Sequence, residues 1–452
     1  MRILLIILMF LISINAVNAL EVVYPKKTLV NLDSPSTFFI GNTDPNDFLT
    51  INGKKVYVHP SGGFAHFVKL HVGQNNFVIK TEKEEKNFII NSIRKPQITK
   101  RVNFIKYEKE KYIITKNNNT PLRSTPVDEG INRLSHFQKG ITLIADGEQN
   151  GFYRVILNDL NYAFVAKYNV HEVEPIEFAT IGEYKKIRDK EFEIFEFEID
   201  KKVPFTIEEG EDLVLKFYNV KNCEDGTFVF SYPMKNNYIG YWGNYEECKF
   251  VLKIRKFPKI DKDQPLKNIT ITIDAGHGGK ERGAIGCLGE SEKDLNLKIA
   301  KYLQNELIVR GANVVMTREE DVDLSLSKRV EISNNAHSMV FLSLHNNALP
   351  DTIDPMTRRG SGVYYYYDQS KELADLILWY LNEELGTKND GIHQQSFAVV
   401  RNTASLAVLI EFLYMINPFD DATLINEEFQ QQSAKAVADA LEDYFCKKRH
   451  HH

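Results

Sequence analysis

Four residues in the C-terminal half of this 452-residue chain have types that could do chemistry together: His277, Glu292, His345 and Glu411. Two histidines and one carboxylate make the donor set of a catalytic zinc, with a fourth position left for water. A second carboxylate can then serve as base on that water. Their surroundings favour convergence. His277 follows the β-branched run Ile271-Thr272-Ile273, in a turn where Gly276, Gly278 and Gly279 let the backbone bend and approach a ligand closely. His345 ends the apolar run Met339–Leu344, Glu411 ends the run Ala407–Ile410, and Glu292 opens a helical pattern. In open α/β sheets the C-terminal ends of the strands are where ligands bind. A phosphate loop is the weaker reading, because Gly-Lys-Ser/Thr is absent.

The elements that must position these groups alternate in type. After Glu292 the residues Leu295, Ile299, Leu303 and Leu307 recur every four positions and predict a helix with one apolar stripe, closed by Gly311. Asn313–Met316 reads as a strand, Leu326–Ala336 as a helix, Gly362–Tyr366 as a strand and Ser370–Leu385 as a helix. Phe397–Val400 and the run ending in Glu411 read as strands, and a helix from Asn426 to Phe445 closes the chain. The pattern implies an α/β domain with helices on both faces of a sheet.

Four separated motifs carry a family resemblance: DAGHGGKERGAIG from Asp274, EKDLNL from Glu292, SLHNNA from Ser343 and VLIEFLYMINP from Val408. In this order they resemble the zinc-dependent N-acetylmuramoyl-L-alanine amidases of the amidase type 3 family, which are peptidoglycan hydrolases. The resemblance implies a mixed sheet and one Zn²⁺ per chain, held by His277, Glu292 and His345, with Glu411 as the catalytic base. Glu290 is the competitor of Glu292. Arg401 is expected to hold a substrate carboxylate, and Asp274 and Asn346 to support the turn rather than bind metal. The bond cut would join the lactyl group of N-acetylmuramic acid to L-alanine of the stem peptide. The alternatives are another secreted zinc peptidase acting on stem peptides, or a non-catalytic wall-binding protein. Ala407 stands where a proline is common and Phe412-Leu413 where small residues are, both next to Glu411. The stretch between His345 and Glu411 is short for the inserted regulatory helix of some relatives.

The remainder reads as multidomain, with three small all-β modules before the catalytic domain at 266–447. Residues 1–19 read as a signal peptide: Arg2, an apolar run from Ile3 to Ile14, then Val17-Asn18-Ala19. The run is shorter than the roughly 20 residues of a membrane span. This predicts an exported protein, in the periplasm, the cell wall or outside the cell, with no further membrane span; the family resemblance implies peptidoglycan as its partner. Residues 20–95 suggest an immunoglobulin-like β-sandwich, with a hairpin at Asn52-Gly53 and alternating pairs Val56/Val58 and Phe77/Ile79. Residues 103–173 resemble an SH3-like barrel, with Phe164 where such modules usually carry Trp. Residues 174–262 form a third β-rich module with alternating Phe195/Phe197 and Phe228/Phe230, and Lys256–Pro265 reads as a linker. Cys223 and Cys248 could pair across a hairpin in an oxidising compartment, with buried free thiols the alternative. The net charge of −5 does not suit a dedicated nucleic-acid binder. The terminal His450-His451-His452 reads as a tag and is left out of the metal set.

Overall fold

The computed structural model describes residues 19–94, 103–129, 132–158, 161–221, 223–234, 238–247 and 249–449. The predicted signal segment therefore lies almost wholly outside the described residues, as does Cys248; Cys223 carries a free thiol. Among the described residues no helix is long and apolar enough to cross a membrane.

The C-terminal segment holds a six-stranded sheet. We number its strands β1 (Thr270–Ala275), β2 (Asn313–Met316), β3 (Val340–Asn347), β4 (Ser361–Tyr365), β5 (Asn389–Gln394) and β6 (Leu406–Tyr414), in the order β2-β1-β3-β6-β4-β5. All neighbours run parallel except β4 against β6, so the sheet is mixed. Its helices are α1 (Glu292–Val309), α2 (Leu326–Asn335), α3 (Lys371–Leu385), α4 (Pro418–Leu424) and α5 (Glu427–Arg449). Side chains alternate across a strand with period two, and the cores follow that parity. Ile271, Ile273, Val340, Leu342, Leu344, Val408 and Ile410 join the stripe Leu295, Ile299, Leu303 and Leu307 of α1 and the inner faces of α3 and α5. Phe341, Ala407 and Leu409 face the other way, against Val330 of α2 and the turn at Val399-Val400. Helices thus cover both faces, and the polar residues of the second parity face α2.

Two elements differ from the sequence reading. Phe397–Val400 is not a strand: Phe397 belongs to no regular element, Ala398–Val400 form a turn, and Val399 and Val400 are buried against the sheet. The edge strand is instead Asn389–Gln394, whose polar sequence lacks the β-branched signature of a strand.

The β units are less separate than three independent modules. Residues 20–92 do form a sandwich, a three-stranded sheet on a five-stranded one, closed around Phe39, Phe64, Phe77, Ile79 and Phe88. Asn52 and Gly53 both take positive φ in the expected hairpin. This sandwich packs on the C-terminal α/β domain: Phe38, Ile40 and Ala65 meet Cys287 and Ile416, Tyr57 stacks on Phe419 at 5.5 Å, and Tyr24 and Thr37 donate to Asp351. Strands within 105–173 make one seven-stranded antiparallel sheet, and those within 181–256 make two further sheets. These two segments share one core, in which Phe205 lies between Phe137 at 5.9 Å and Phe250 at 4.7 Å. The Lys256–Pro265 segment is not a free linker either. Ile260 and Leu266 are buried in the core of the C-terminal α/β domain, and Arg255 donates to the carbonyl of Ser338 at 2.7 Å.

The shared core makes a prediction. Phe205→Ala removes a buried ring whose loss typically costs about 3–5 kcal/mol, and hydrogen exchange should rise together over 105–173 and 181–256. Faster exchange confined to one segment would show two independent units.

Candidate metal centre and cleft

The site grows from the end of β1. After Ala275 the chain must leave the sheet and return, and His277 does so in the left-handed region, at φ 60°. That conformation is uncommon for a residue with a side chain and persists where the surroundings enforce it. Two arginines supply the enforcement. Arg318 donates from Nε to the carbonyl of Ala275 at 2.8 Å and from Nη2 to that of Gly276 at 3.0 Å. Arg329 of α2 donates to the carbonyls of Ala275 and His277, each at 2.8 Å, and to Asp274 Oδ1 at 2.7 Å. Asp274 is fully buried and also accepts from Thr317 Oγ1 and Ser343 Oγ. A buried carboxylate needs such partners, and here they fix the turn that presents His277. Gly276 is required for a separate reason: a Cβ there would stand 2.3 Å from Nε2 of His345.

Glu292 sits at the first turn of α1 but points inward, only 4% exposed. Its Oε1 accepts from the backbone N–H of Asn346 at 3.2 Å and from Asn296 Nδ2 at 3.3 Å, and lies 2.9 Å from His345 Nδ1. Its Oε2 accepts from the N–H of Ala284 at 2.8 Å and lies 3.1 Å from His277 Nε2. Burial pushes this carboxyl up, but the hydrogen bonds and charges of His277 and His345 outweigh it and hold the carboxyl below the usual range. The nitrogen and oxygen donors of His277, Glu292 and His345 lie within 4.8 Å of one another. The histidine rings meet edge-on at 4.8 Å.

Glu411 stands beside them. It pairs in register with His345 across β3 and β6, on the parity that faces α2. Its Oε2 is buried and has no hydrogen-bond partner among the described residues. Burial, then the negative charge of Glu292, then that of Asp390, push its carboxyl well above the ordinary range. The donor set therefore fits a cation: two imidazoles and a carboxylate converge, and a second carboxylate with an unpartnered oxygen lies next to the first. The group opens into a cleft of about 580 Å³, bounded by Glu281, Leu326, Phe397 and Leu409 as well as His277, His345 and Glu411.

Other residues named from the sequence fall elsewhere. Glu290 is outside the histidine cluster, its carboxyl raised by burial and its Oε2 unpartnered among the described residues, and it lies close enough to Asp421 to raise that carboxyl too. Arg401 does not line the cleft. Its guanidinium donates to the carbonyl and hydroxyl of Ser396. Asn346 and Asp274 act on the backbone and on neighbouring side chains, as described. Ala407 lies in the α2-side core, and Phe412 and Leu413 are buried in the helix-side core, so none of the three departures narrows the cleft directly. The residues that sequence reasoning missed are Arg318 and Arg329. The available signal was Asp274 itself, an acid at the end of an apolar strand, which calls for a buried cation as partner.

Comparison with known proteins places the segment in a family. Residues 271–443 match the family described as N-acetylmuramoyl-L-alanine amidase. A protein of Staphylococcus aureus named "Probable cell wall amidase LytH" is 37% identical over 183 residues, which cover 40% of this chain and 60% of that protein. The chain thus spans 60% of the length of the curated relatives it matches. The solved catalytic domain of CwlV, an N-acetylmuramoyl-L-alanine amidase from Bacillus (Paenibacillus) polymyxa, is 34% identical over 39% of this chain and 97% of that one, with a TM-score of 0.37. The N-acetylmuramoyl-L-alanine amidase from Clostridium difficile 630 is 33% identical over 39% and 97%, with a TM-score of 0.38.

The turn yields a prediction about stability. Arg329→Met strands the Asp274 charge and removes the donor to the His277 carbonyl, and breaking a buried pair in this way costs about 3–5 kcal/mol. Urea unfolding should show that loss, and a change below about 1 kcal/mol would mean that the turn does not depend on Arg329. By its motifs, and by the match over residues 271–443, the C-terminal segment of this chain belongs to the N-acetylmuramoyl-L-alanine amidase family.

Proposed function

We propose that this chain is an exported peptidoglycan hydrolase that cleaves the amide between the lactyl group of N-acetylmuramic acid and L-alanine of the stem peptide. The observation that carries the reading is the convergence of His277, Glu292, His345 and Glu411 at one end of adjacent parallel strands, inside a cleft. His277, Glu292 and His345 would hold one Zn²⁺. That ion, when bound, supplies a Lewis acid that lowers the pKa of water towards about 7 and polarises an amide carbonyl.

The protein's own groups do the rest. Glu292 is clamped by the N–H groups of Ala284 and Asn346 and by Asn296, so it and the two imidazoles it touches are held in fixed orientation. Glu411 has the free oxygen needed to accept a proton from the attacking water, and it then returns that proton to the leaving amine nitrogen. Gly278, whose added Cβ would stand 2.4 Å from the carbonyl of Val322, keeps the turn low at the cleft edge. Leu326, Phe397 and Leu409 offer apolar walls that exclude bulk water from the reacting amide. The β units, including the segment 103–173 that resembles an SH3-like barrel, would hold the enzyme to the wall.

The test separates ligand from base. His345→Ala should lose both zinc and turnover of a soluble muropeptide. Glu411→Gln keeps the size of the side chain but cannot take the proton. It should retain zinc and fold while turnover falls about 10²–10⁴-fold. Metal analysis beside muropeptide kinetics reads both. Near-normal turnover of Glu411→Gln would refute its role as base, and loss of its zinc would make it a ligand.

A further inference from the structure

The cleft does not end at Glu411. Strand register carries the same face onward across β4 and β5. Glu411 is paired with Gly362 and Gly362 with Gly391, so beside the acid the sheet continues as two residues without side chains. One row away, Leu409 is paired with Tyr364 and Tyr364 with His393. Side chains two apart on a strand share a face, so this second row lies on the Glu411 face. Leu409 and Phe397 already line the cleft. The rings of Phe397, Tyr364 and His393 follow one another, with centroids 5.4 and 4.8 Å apart and planes tilted by 52° and 32°. They make an aromatic shelf that starts in the cleft and runs to the edge of the sheet.

The glycine row lets this shelf lie low. A Cβ built on Gly362 would stand 3.5 Å from Asp390 Oδ2 and 3.7 Å from Tyr364 Cε2. The Tyr364 ring therefore rests over Gly362, next to the strand that carries Glu411, and a long side chain at 362 would lift it. The far side has a fixed polar rim. Asp390 of β5 accepts at Oδ1 from Arg358 Nη2 at 2.7 Å and Nε at 3.2 Å, and at Oδ2 from the Tyr414 hydroxyl at 2.8 Å. His393 Nε2 donates to the Asp390 carbonyl at 3.0 Å, which holds the imidazole in place. The Arg358 side chain stays 41% exposed, but its charge is met by Asp390. The rim thus offers hydrogen-bonding groups without a net charge.

That combination selects a chemistry. The face of an aromatic ring is apolar and electron-rich, and it attracts the C–H groups on the flat side of a pyranose. A few fixed polar groups beside such a surface set orientation and specificity. Polar groups already paired in charge suit hydroxyl and acetamido groups, whereas a peptide carboxylate calls for an unpaired cation. Phe397 is exposed, and Tyr364 and His393 are half-buried, so a ligand can reach all three. We propose that the Phe397–Tyr364–His393 shelf binds a pyranose ring of the glycan strand, beside the amide to be cut. This rests on the reading that the cleft receives a muramoyl amide.

The experiment uses the zinc-loaded full-length chain. Calorimetry reads the binding of a peptide-free tetrasaccharide of alternating N-acetylglucosamine and N-acetylmuramic acid, which holds no amide to a peptide and so needs no turnover. Tyr364→Leu keeps bulk but removes the flat face, and His393→Ala shortens the shelf. Each should weaken the tetrasaccharide about tenfold. Glycan binding that persists unchanged in both variants lies elsewhere on the chain and would overturn the proposal, as would no binding to the unmodified chain. Kinetics then compare a disaccharide muropeptide with a stem peptide that carries only the lactyl group. On the unmodified chain KM should be about tenfold lower for the muropeptide, and either substitution should narrow that ratio. Equal KM values would overturn the proposal whether or not the variants fold. Failure to hydrolyse either compound would instead refute the amidase reading, while the calorimetry still decides the shelf.

Discussion

The hydrogen bonds from Arg318 and Arg329 to the carbonyls of Ala275, Gly276 and His277 are the constraint on which the centre depends. A strand that ends in a buried turn leaves carbonyls with no ladder partner, and burying them bare is costly. Here they accept from two buried guanidiniums, one of which is neutralised by Asp274. Asp274 in turn draws Thr317 and Ser343 to the same spot, so β1, the loop after β2, β3 and α2 all converge beneath one histidine. The left-handed conformation of His277 is tolerable because this set of bonds leaves the turn no other way to run.

From that fixed point the rest of the centre follows by parity and register. Ser343 and His345 are two apart on β3, and Leu409 and Glu411 two apart on β6, so all four face α2. Parallel pairing sets His345 opposite Glu411. The helix that begins at Glu292 is seated by its apolar stripe on the opposite face, which carries its first turn to the strand ends. The same acid that would favour a helix N-terminus by charge is thereby turned inward to bridge two imidazoles, and the backbone N–H groups of Ala284 and Asn346 hold it there.

Much of this was legible in the sequence because it rests on short-range rules. Continuous apolar or β-branched runs marked β1, β3 and β6, period four marked α1, and glycines marked the turn. The mixed sheet needed the family resemblance, since no local rule gives the direction of β4. Phe397–Val400 misled because a short apolar run lining a cleft and a short buried strand look alike, and Asn389–Gln394 was passed over because an edge strand needs few apolar residues. Long-range packing was not legible at all. Nothing near Phe205 announces that its partner Phe137 belongs to the preceding sheet, and nothing near Asp351 announces Tyr24 and Thr37. The β units were read as beads on a string because sequence shows composition and turns, not which surfaces meet.

The central claim is hydrolysis of one particular amide by water. Its most direct measurement is mass spectrometry of a soluble muropeptide digested in oxygen-18-labelled water. The account predicts two products: an intact stem peptide with a free amine on L-alanine, and an N-acetylmuramic acid whose lactyl carboxylate carries one labelled oxygen. Label in a carboxylate within the stem peptide, with the lactyl amide still intact, would contradict it and show that the centre acts on a peptide bond instead.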